Sequence, residues 1–276
     1  MEESTSAVAA EAPELEFTGE RIVPGKTAEA LFREHEVRYL FAGQYVAGRD
    51  VLDVACGTGV GTAFLRQAGA RSAWGLDIDP EAITYAKARY RDCEFAQSDA
   101  TDLCLPDNSV DVVVSFETLE HLKDQEKFLK ECRRVLRPGG IFLCSTPNTT
   151  IYRLVGVNQY HVHELTTKQF ENMLAAQFGE LRLFSQGEQV YPIFLLKRIV
   201  SHVLDRLNLK EAIKRILGMK APYPCMRNVF SAAGGATCEV QPYRGAWLIQ
   251  PTYLVAVGRK SCMDGGVNRL GTSHKP

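Results

Sequence analysis

The sequence predicts an α/β fold: a seven-stranded, mostly parallel sheet with helices on both faces and a helical insertion between the last two strands. Three observations predict it. Apolar, strand-type runs alternate with helix-type segments from about residue 51 to residue 146, the pattern of a parallel sheet covered on both sides. The run Val51-Leu52-Asp53-Val54-Ala55 leads into Cys56-Gly57-Thr58-Gly59-Val60-Gly61. That is a short buried strand followed by a loop almost free of side chains, where a ligand can approach the backbone closely. A second apolar run, Ala73-Trp74-Gly75-Leu76, ends in Asp77, a carboxylate placed to reach a pair of ribose hydroxyls.

The elements follow in order along the chain. Residues 1–16 form an Ala/Glu-rich tail expected to be disordered. Within 17–48, a looped lid with Gly19 and Pro24-Gly25 precedes a helix over 27–47, whose apolar period runs through Ala30, Leu31, Val37, Leu40 and Phe41. The core spans 49–190, with helices near 60–69, 80–90 and 123–136, and with Asp111-Val112-Val113-Val114 as the fourth strand. Leu136-Arg137-Pro138-Gly139-Gly140 reads as the turn before the fifth. The last two strands fall at 181–190 and 246–258. Between them, 191–245 carries two amphipathic segments, Ile193–Leu207 and Lys210–Leu217, with basic residues around the apolar face. Such helices pack as an acceptor lid or a dimer element, and a basic amphipathic helix also suits peripheral contact with an anionic membrane. Residues 246–260 close the core, and 261–276 form a loose tail.

The glycine loop discriminates between nucleosides. A dinucleotide loop requires Gly-x-Gly-x-x-Gly, and Thr62 stands where the third glycine would fall. Asp53 would repel a pyrophosphate but suits a cationic ligand such as the ammonium of a methionine moiety. Val51-Leu52-Asp53-x-x-Cys56-Gly57-x-Gly59 resembles the first motif of class I S-adenosylmethionine-dependent methyltransferases. Gly75-Leu76-Asp77-Ile78-Asp79 is similar to their second, and Ser98-Asp99-Ala100 to their adenine-contacting third. The resemblance covers about residues 17–185. It implies a Rossmann-like sheet and S-adenosylmethionine as cofactor. It also implies cofactor-binding roles for Asp53, Ala55, Gly57, Gly59, Asp77, Ile78, Asp99, Ala100 and Phe116.

The chemistry is expected after the fourth strand. Ser115-Phe116-Glu117-Thr118-Leu119-Glu120-His121 places Glu117, Glu120 and His121 at i, i+3 and i+4, on one face if the segment opens a helix. Downstream, His161-Val162-His163-Glu164 offers further imidazoles. Methyl transfer to an alcohol needs in-line geometry and help in removing the hydroxyl proton, from a general base or a Lewis-acidic metal. Glu117, His161 and His163 are the candidate catalytic groups. The two carboxylates with imidazoles suit Mg²⁺ or Mn²⁺. Glu-x-x-Glu-His with a later His also resembles a metal-dependent subset of the same superfamily, which includes small-RNA 2′-O-methyltransferases and ubiquinone-pathway O-methyltransferases. That resemblance implies Glu117, Glu120, His121 and His161 as ligands.

Phe17-Thr18-Gly19-Glu20-Arg21-Ile22-Val23-Pro24-Gly25 with Glu34-His35-Glu36-x-Arg38-Tyr39 resembles the opening of bacterial methyltransferases of cell-surface glycan and secondary-metabolite sugar assembly. It implies a sugar-containing small-molecule acceptor. In the same segment, Arg38 and Tyr39 are placed to cover the methionine end. Alternatives are a quinone, phenol or amine acceptor, and, outside enzymes, a non-catalytic S-adenosylmethionine-binding protein. The chain has 276 residues and a net charge of −1, which gives no electrostatic footprint for nucleic acid. Its eight cysteines (56, 93, 104, 132, 144, 225, 238 and 262) form no Cys-x-x-Cys pair, which suits reduced thiols in the cytoplasm. The start is acidic with no apolar signal region, and no run of eighteen apolar residues appears.

Overall fold

The computed structural model describes residues 15–16, 21–155, 158–190, 206, 239–245 and 249–262. Most of the expected insertion at 191–245, residues 17–20 and most of both tails lie outside the described residues. Helix α1 (Glu29–Gly43) leads to β1 (Asp50–Val54), α2 (Val60–Gln67), β2 (Ser72–Asp77), α3 (Pro80–Arg89) and β3 (Glu94–Gln97). Next come β4 (Val110–Phe116), a 3₁₀ turn (Leu119–His121), α4 (Gln125–Val135), β5 (Leu136–Pro147) and α5 (Thr149–Val155). Helix α6 (Thr167–Ala175), β6 (Gly179–Val190), β7 (Gln241–Pro242) and β8 (Ile249–Arg259) complete it.

All eight strands join one sheet in the order β3-β2-β1-β4-β5-β8-β6-β7. β3, β2, β1, β4 and β5 are parallel, while β8, β6 and β7 add antiparallel. The chain reverses its direction across the sheet between β1 and β4, and the crevice outside the strand carboxyl ends there is where open α/β sheets bind ligands.

Side-chain alternation divides the core into two layers. Leu52, Val54, Val113 and Phe142 point to one face, where Phe128, Leu129 and Cys132 of α4 and Phe170 and Leu174 of α6 cover them. Val51, Val112, Val114, Ile141 and Leu143 point to the other, against Phe41 and Ala42 of α1 and Leu65 of α2. The strands are therefore apolar on both faces, as a doubly covered parallel sheet demands.

The structure departs from the sequence expectation at three places. The sheet has eight strands rather than seven. The extra one, β7, is two residues long and pairs with Phe184 and Ser185 on the outer side of β6. It comes from the end of the segment expected to be a helical insertion, and a short edge strand ending in proline blunts an otherwise open sheet edge. Pro138-Gly139-Gly140 is not a turn before β5 but lies inside it. Its register against β4 jumps from Val110–Leu136 to Val112–Ile141, so the extra residues bulge out. Finally, Glu117, Glu120 and His121 do not open an α-helix. Leu119–His121 is a single 3₁₀ turn, and α4 starts only at Gln125, where Asp124 caps it through the Lys127 amide.

Candidate active site

The glycine loop is held from three sides. Ala55, Gly57 and Gly59 all take positive φ (60°, 53° and 77°). A Cβ on Gly59 would lie 2.7 Å from the Phe95 ring and 2.8 Å from Ala86, so only glycine lets α2 start this close to β3. Above Gly57, by contrast, the nearest atom to a Cβ is on Arg21 at 3.9 Å, which leaves room for a ligand against the backbone. The Cys56 amide donates to the Leu76 carbonyl at 3.0 Å. The Gly57 amide donates to Asp77 Oδ2 at 2.7 Å, and the Asp79 amide to Asp77 Oδ1 at 2.9 Å. Asp77 thus ties the loop after β1 to the end of β2.

Beside it, Ile78 is 66% exposed, an apolar surface that suits the face of an adenine ring. Asp99 is exposed, with the amide and hydroxyl of Thr101 donating to its Oδ1 at 2.7 and 2.9 Å. Ala100 is half-buried next to it. Phe116 is buried, its ring edge-on to Tyr39 at 5.1 Å. These groups, together with the open space above Gly57, fit the ribose, adenine and backbone contacts of S-adenosylmethionine.

Asp53 lies beneath the loop, completely buried. Thr62 donates to its Oδ2 at 2.7 Å, and the Tyr39 hydroxyl donates to its Oδ1 at 3.1 Å. Thr62, which breaks the dinucleotide pattern in the sequence, therefore has a positive role as the partner of Asp53. Burial pushes the Asp53 carboxyl up to about 7, with the charge of Asp77 adding to it and the two hydroxyls opposing. Without cofactor, the stability contributed by the neutral form is present at low pH and is lost as pH rises through about 7. A bound ammonium favours the ionised form. Affinity for S-adenosylhomocysteine is therefore expected to rise as pH rises through about 7, and Asp53→Asn is expected to flatten that dependence. Calorimetry on both proteins on either side of that pH checks this, and equal pH dependence in the variant would rule it out.

The described part of the amino-terminal segment closes against this site. Arg21 forms an ion pair with Asp79, Thr58 donates to the Ile22 carbonyl at 2.9 Å, and Leu15, Val23 and Tyr85 form a small apolar cluster. Tyr39 on α1 packs so tightly over α2 that a Cβ on Gly61 would overlap its ring.

At the end of β4, Glu117 stands in the left-handed region with φ 54°, an uncommon conformation for this residue and one that clusters at functional sites. Ser145, near the end of β5, holds it through both its hydroxyl and its carbonyl. The hydroxyl donates to Glu117 Oε1 at 2.7 Å, and the Ser145 carbonyl accepts the Glu117 amide at 3.2 Å. Glu117 is half-buried, whereas Glu120 is 1% exposed. Burial and then the charge of Glu117 raise the Glu120 carboxyl well above its ordinary value, against a 3.0 Å bond donated by Thr146.

Glu120, His121 and His161 offer ligand atoms within 4.8 Å of one another, and Glu117 is not in that group. With the left-handed turn and no helix, Glu117 turns to Ser145 instead of sharing a face with Glu120. His121 Nδ1 is bonded to the Tyr160 carbonyl at 3.0 Å. His161 is held at both ring nitrogens, by Glu164 Oε1 at 2.7 Å and by the Asn158 amide at 2.9 Å. His163 is exposed and contributes its backbone: its amide donates to the Glu120 carbonyl, and its own carbonyl accepts from Gln125. One carboxylate with two imidazoles is a softer set than the two carboxylates expected for Mg²⁺, and it suits zinc or iron as well as manganese.

The sequence did not point to several polar groups of the same crevice. Ser145, Thr146, Tyr152 and Tyr253 come from β5, α5 and β8, and the Tyr152 hydroxyl lies 3.1 Å from that of Tyr253. The one signal available was hydroxyl-bearing residues at the carboxyl end of an apolar strand, as in Cys144-Ser145-Thr146-Pro147.

A family model described as a methyltransferase domain matches residues 52–144, from within β1 to within β5. Those residues are therefore similar to a methyltransferase domain. A probable S-adenosylmethionine-dependent methyltransferase of Mycolicibacterium smegmatis is 43% identical over 164 residues, 58% of this chain and 63% of that protein. The fatty-acid O-methyltransferase of the same organism is 39% identical over 101 residues, 36% of this chain and 37% of its own length. The chain thus spans less than two thirds of the curated relatives it matches. The crystal structure of an S-adenosylmethionine-dependent methyltransferase from Thermotoga maritima superposes with a TM-score of 0.55 at 16% identity, covering 84% of this chain and 93% of that one, a likeness of fold. The methyltransferase domain and these relatives support the class I S-adenosylmethionine-dependent family and S-adenosylmethionine as the cofactor. No helix among the described residues is long and apolar enough to cross a membrane.

Proposed function

We propose that this chain moves the methyl group of S-adenosylmethionine to a hydroxyl oxygen of a polar small molecule, a sugar or glycan intermediate, in the cytoplasm. The observation that carries the reading is Glu117. It is a half-buried carboxylate fixed by Ser145 and by its own backbone just past the carboxyl end of β4, the strand beside β1. As the acceptor oxygen attacks the methyl carbon in line, the carbon–sulfur bond breaks and its electron pair stays on sulfur. The hydroxyl proton passes to Glu117, which leaves a methyl ether and S-adenosylhomocysteine.

The groups packed around Glu117 are hydroxyls and carboxylates, buried and bonded to one another, a polar setting that favours a polyhydroxylated acceptor over an acyl chain. The fatty-acid enzyme matches little more than a third of this chain. Glu120, His121 and His161 support a second reading of the same step, in which a divalent cation polarises the acceptor oxygen. A non-catalytic S-adenosylmethionine-binding protein would have no use for a strained, hydroxyl-held Glu117.

A methyl-donor assay across sugar nucleotides, free glycosides, phenols, amines and fatty acids tests the proposal. Transfer to sugars is expected, whereas transfer to phenols or acids alone would overturn the sugar reading. Repeating the assay after exhaustive chelation separates the two modes of activation. Full activity leaves Glu117 as the base, and loss restored by Mn²⁺ or Zn²⁺ assigns the cation site.

A further inference from the structure

Among the described residues, Arg38 is the largest side chain that is completely buried. Its Nη1 donates to Gln186 Oε1 at 2.6 Å, and its guanidinium lies 4.5 Å from the centre of the Tyr253 ring. Nε and Nη2 have no hydrogen-bond partner among the described residues. These two nitrogens form one edge of the planar guanidinium, with two N–H bonds pointing the same way. A buried, charged donor pair left unmade is costly, and here both unmade bonds share one edge, so a single ligand could satisfy them.

The protein has carboxylates nearby and keeps them off this edge. Burial disfavours the charge of Arg38, and Glu117, Tyr253 and Glu34 more than compensate. Yet Glu117 is held by the Ser145 hydroxyl at 2.7 Å, and Glu34 accepts from the Tyr253 hydroxyl at 3.1 Å. Helix α1 also separates two sides of the crevice. Tyr39 bonds Asp53 below the cofactor loop, while Arg38, one residue earlier, lies against β6 and β8. The unpaired guanidinium edge therefore sits on the β6–β8 side of α1, away from Asp53.

We propose that the Nε–Nη2 edge of Arg38 binds two adjacent oxygens of the acceptor, a vicinal diol of a sugar, and so selects which hydroxyl lies beside Glu117. This rests on the sugar reading above and names the feature of the sugar that is recognised. Charge decides between a diol and a carboxylate. Two carboxylates already surround the one guanidinium, and a third would be repelled in a buried site, whereas two hydroxyl oxygens accept both N–H bonds and add no charge.

The test uses protein loaded with S-adenosylhomocysteine and titrated with methyl glucoside, mannoside and galactoside and their monodeoxy analogues. Removing either hydroxyl of one adjacent pair should weaken binding on the order of tenfold to a hundredfold, and removing hydroxyls outside that pair should not. Arg38→Lys, which keeps the charge but not the fork, should weaken the parent sugar by a similar factor and lose discrimination among the deoxy compounds. The deoxy series on the unaltered protein stands even if that variant does not fold. Equal affinity across the series, or binding to none of the glycosides, overturns the proposal. So does a comparable loss of S-adenosylhomocysteine affinity in Arg38→Lys, since the edge would then serve the methionine carboxylate. Sugar methylation that ignores the diol sinks this inference alone, whereas methylation confined to non-sugar acceptors sinks the function on which it rests.

Discussion

Glu117→Gln is expected to lower kcat by roughly a hundredfold to ten-thousandfold, the usual contribution of a positioned general base, while S-adenosylhomocysteine affinity stays near its original value. The amide matches the carboxylate in shape, and its oxygen still accepts the Ser145 hydroxyl that holds Glu117 at 2.7 Å. The left-handed backbone and the bond from the Glu117 amide to Ser145 are untouched. What the variant loses is the ability to take a proton. Because the loss belongs to the transition state, kcat and kcat/KM should fall together. Steady-state kinetics with calorimetry of product binding decides it. A variant of normal turnover, or one that loses cofactor binding in proportion to activity, would remove Glu117 from the chemistry.

Asp77→Ala is expected to reduce S-adenosylhomocysteine affinity by more than about tenfold, since one charge-assisted ribose contact alone is worth about 1.5–3 kcal/mol. The structure adds a second cost that is independent of the ligand. The carboxylate accepts the amides of Gly57 and Asp79 at 2.7 and 2.9 Å, and alanine leaves both donors unpaired at the join between β1 and β2. The cofactor-free protein should therefore also melt at lower temperature. Asp77→Asn separates the effects, because one amide oxygen can still accept from Gly57 while the charge is gone. Its melting temperature should fall less than that of the alanine variant, and its affinity should remain poor. Unchanged affinity in either variant would dissociate Asp77 from the cofactor, and NAD binding by the unaltered protein would overturn the nucleoside assignment.

How far the site was legible follows from where its residues lie along the chain. Asp53, Gly57, Gly59 and Asp77 fall within 25 residues, on two neighbouring strands and the loop between strand and helix. Local rules govern such a unit. A strand needs its apolar run, and a loop passing close to Phe95 and Ala86 admits only glycine. The helix expected at Glu117 shows the limit. The i, i+3, i+4 spacing was present, but the backbone there follows the bonds exchanged with Ser145, 28 residues further along the chain. The same contact removed Glu117 from the expected ligand group and left Glu120, His121 and His161 together.

The sequence by itself determined the parallel α/β core and the glycine loop after β1, with Thr62 departing from the dinucleotide pattern. These depend on residue type and short-range spacing, which side-chain period and backbone sterics translate directly into strands, turns and helices. Only the tertiary structure decided the acceptor side. Arg38 meets Gln186 across 148 positions, and Glu34 meets Tyr253 across 219. Such pairings come from the order in which strands dock, with β8 between β5 and β6. They leave no periodic trace in the chain, because each residue answers to a partner set by packing rather than to its neighbours. The buried guanidinium is the clearest case: the sequence placed Arg38 with Tyr39 over the methionine end, and only the docked sheet sets it against Gln186 and Tyr253.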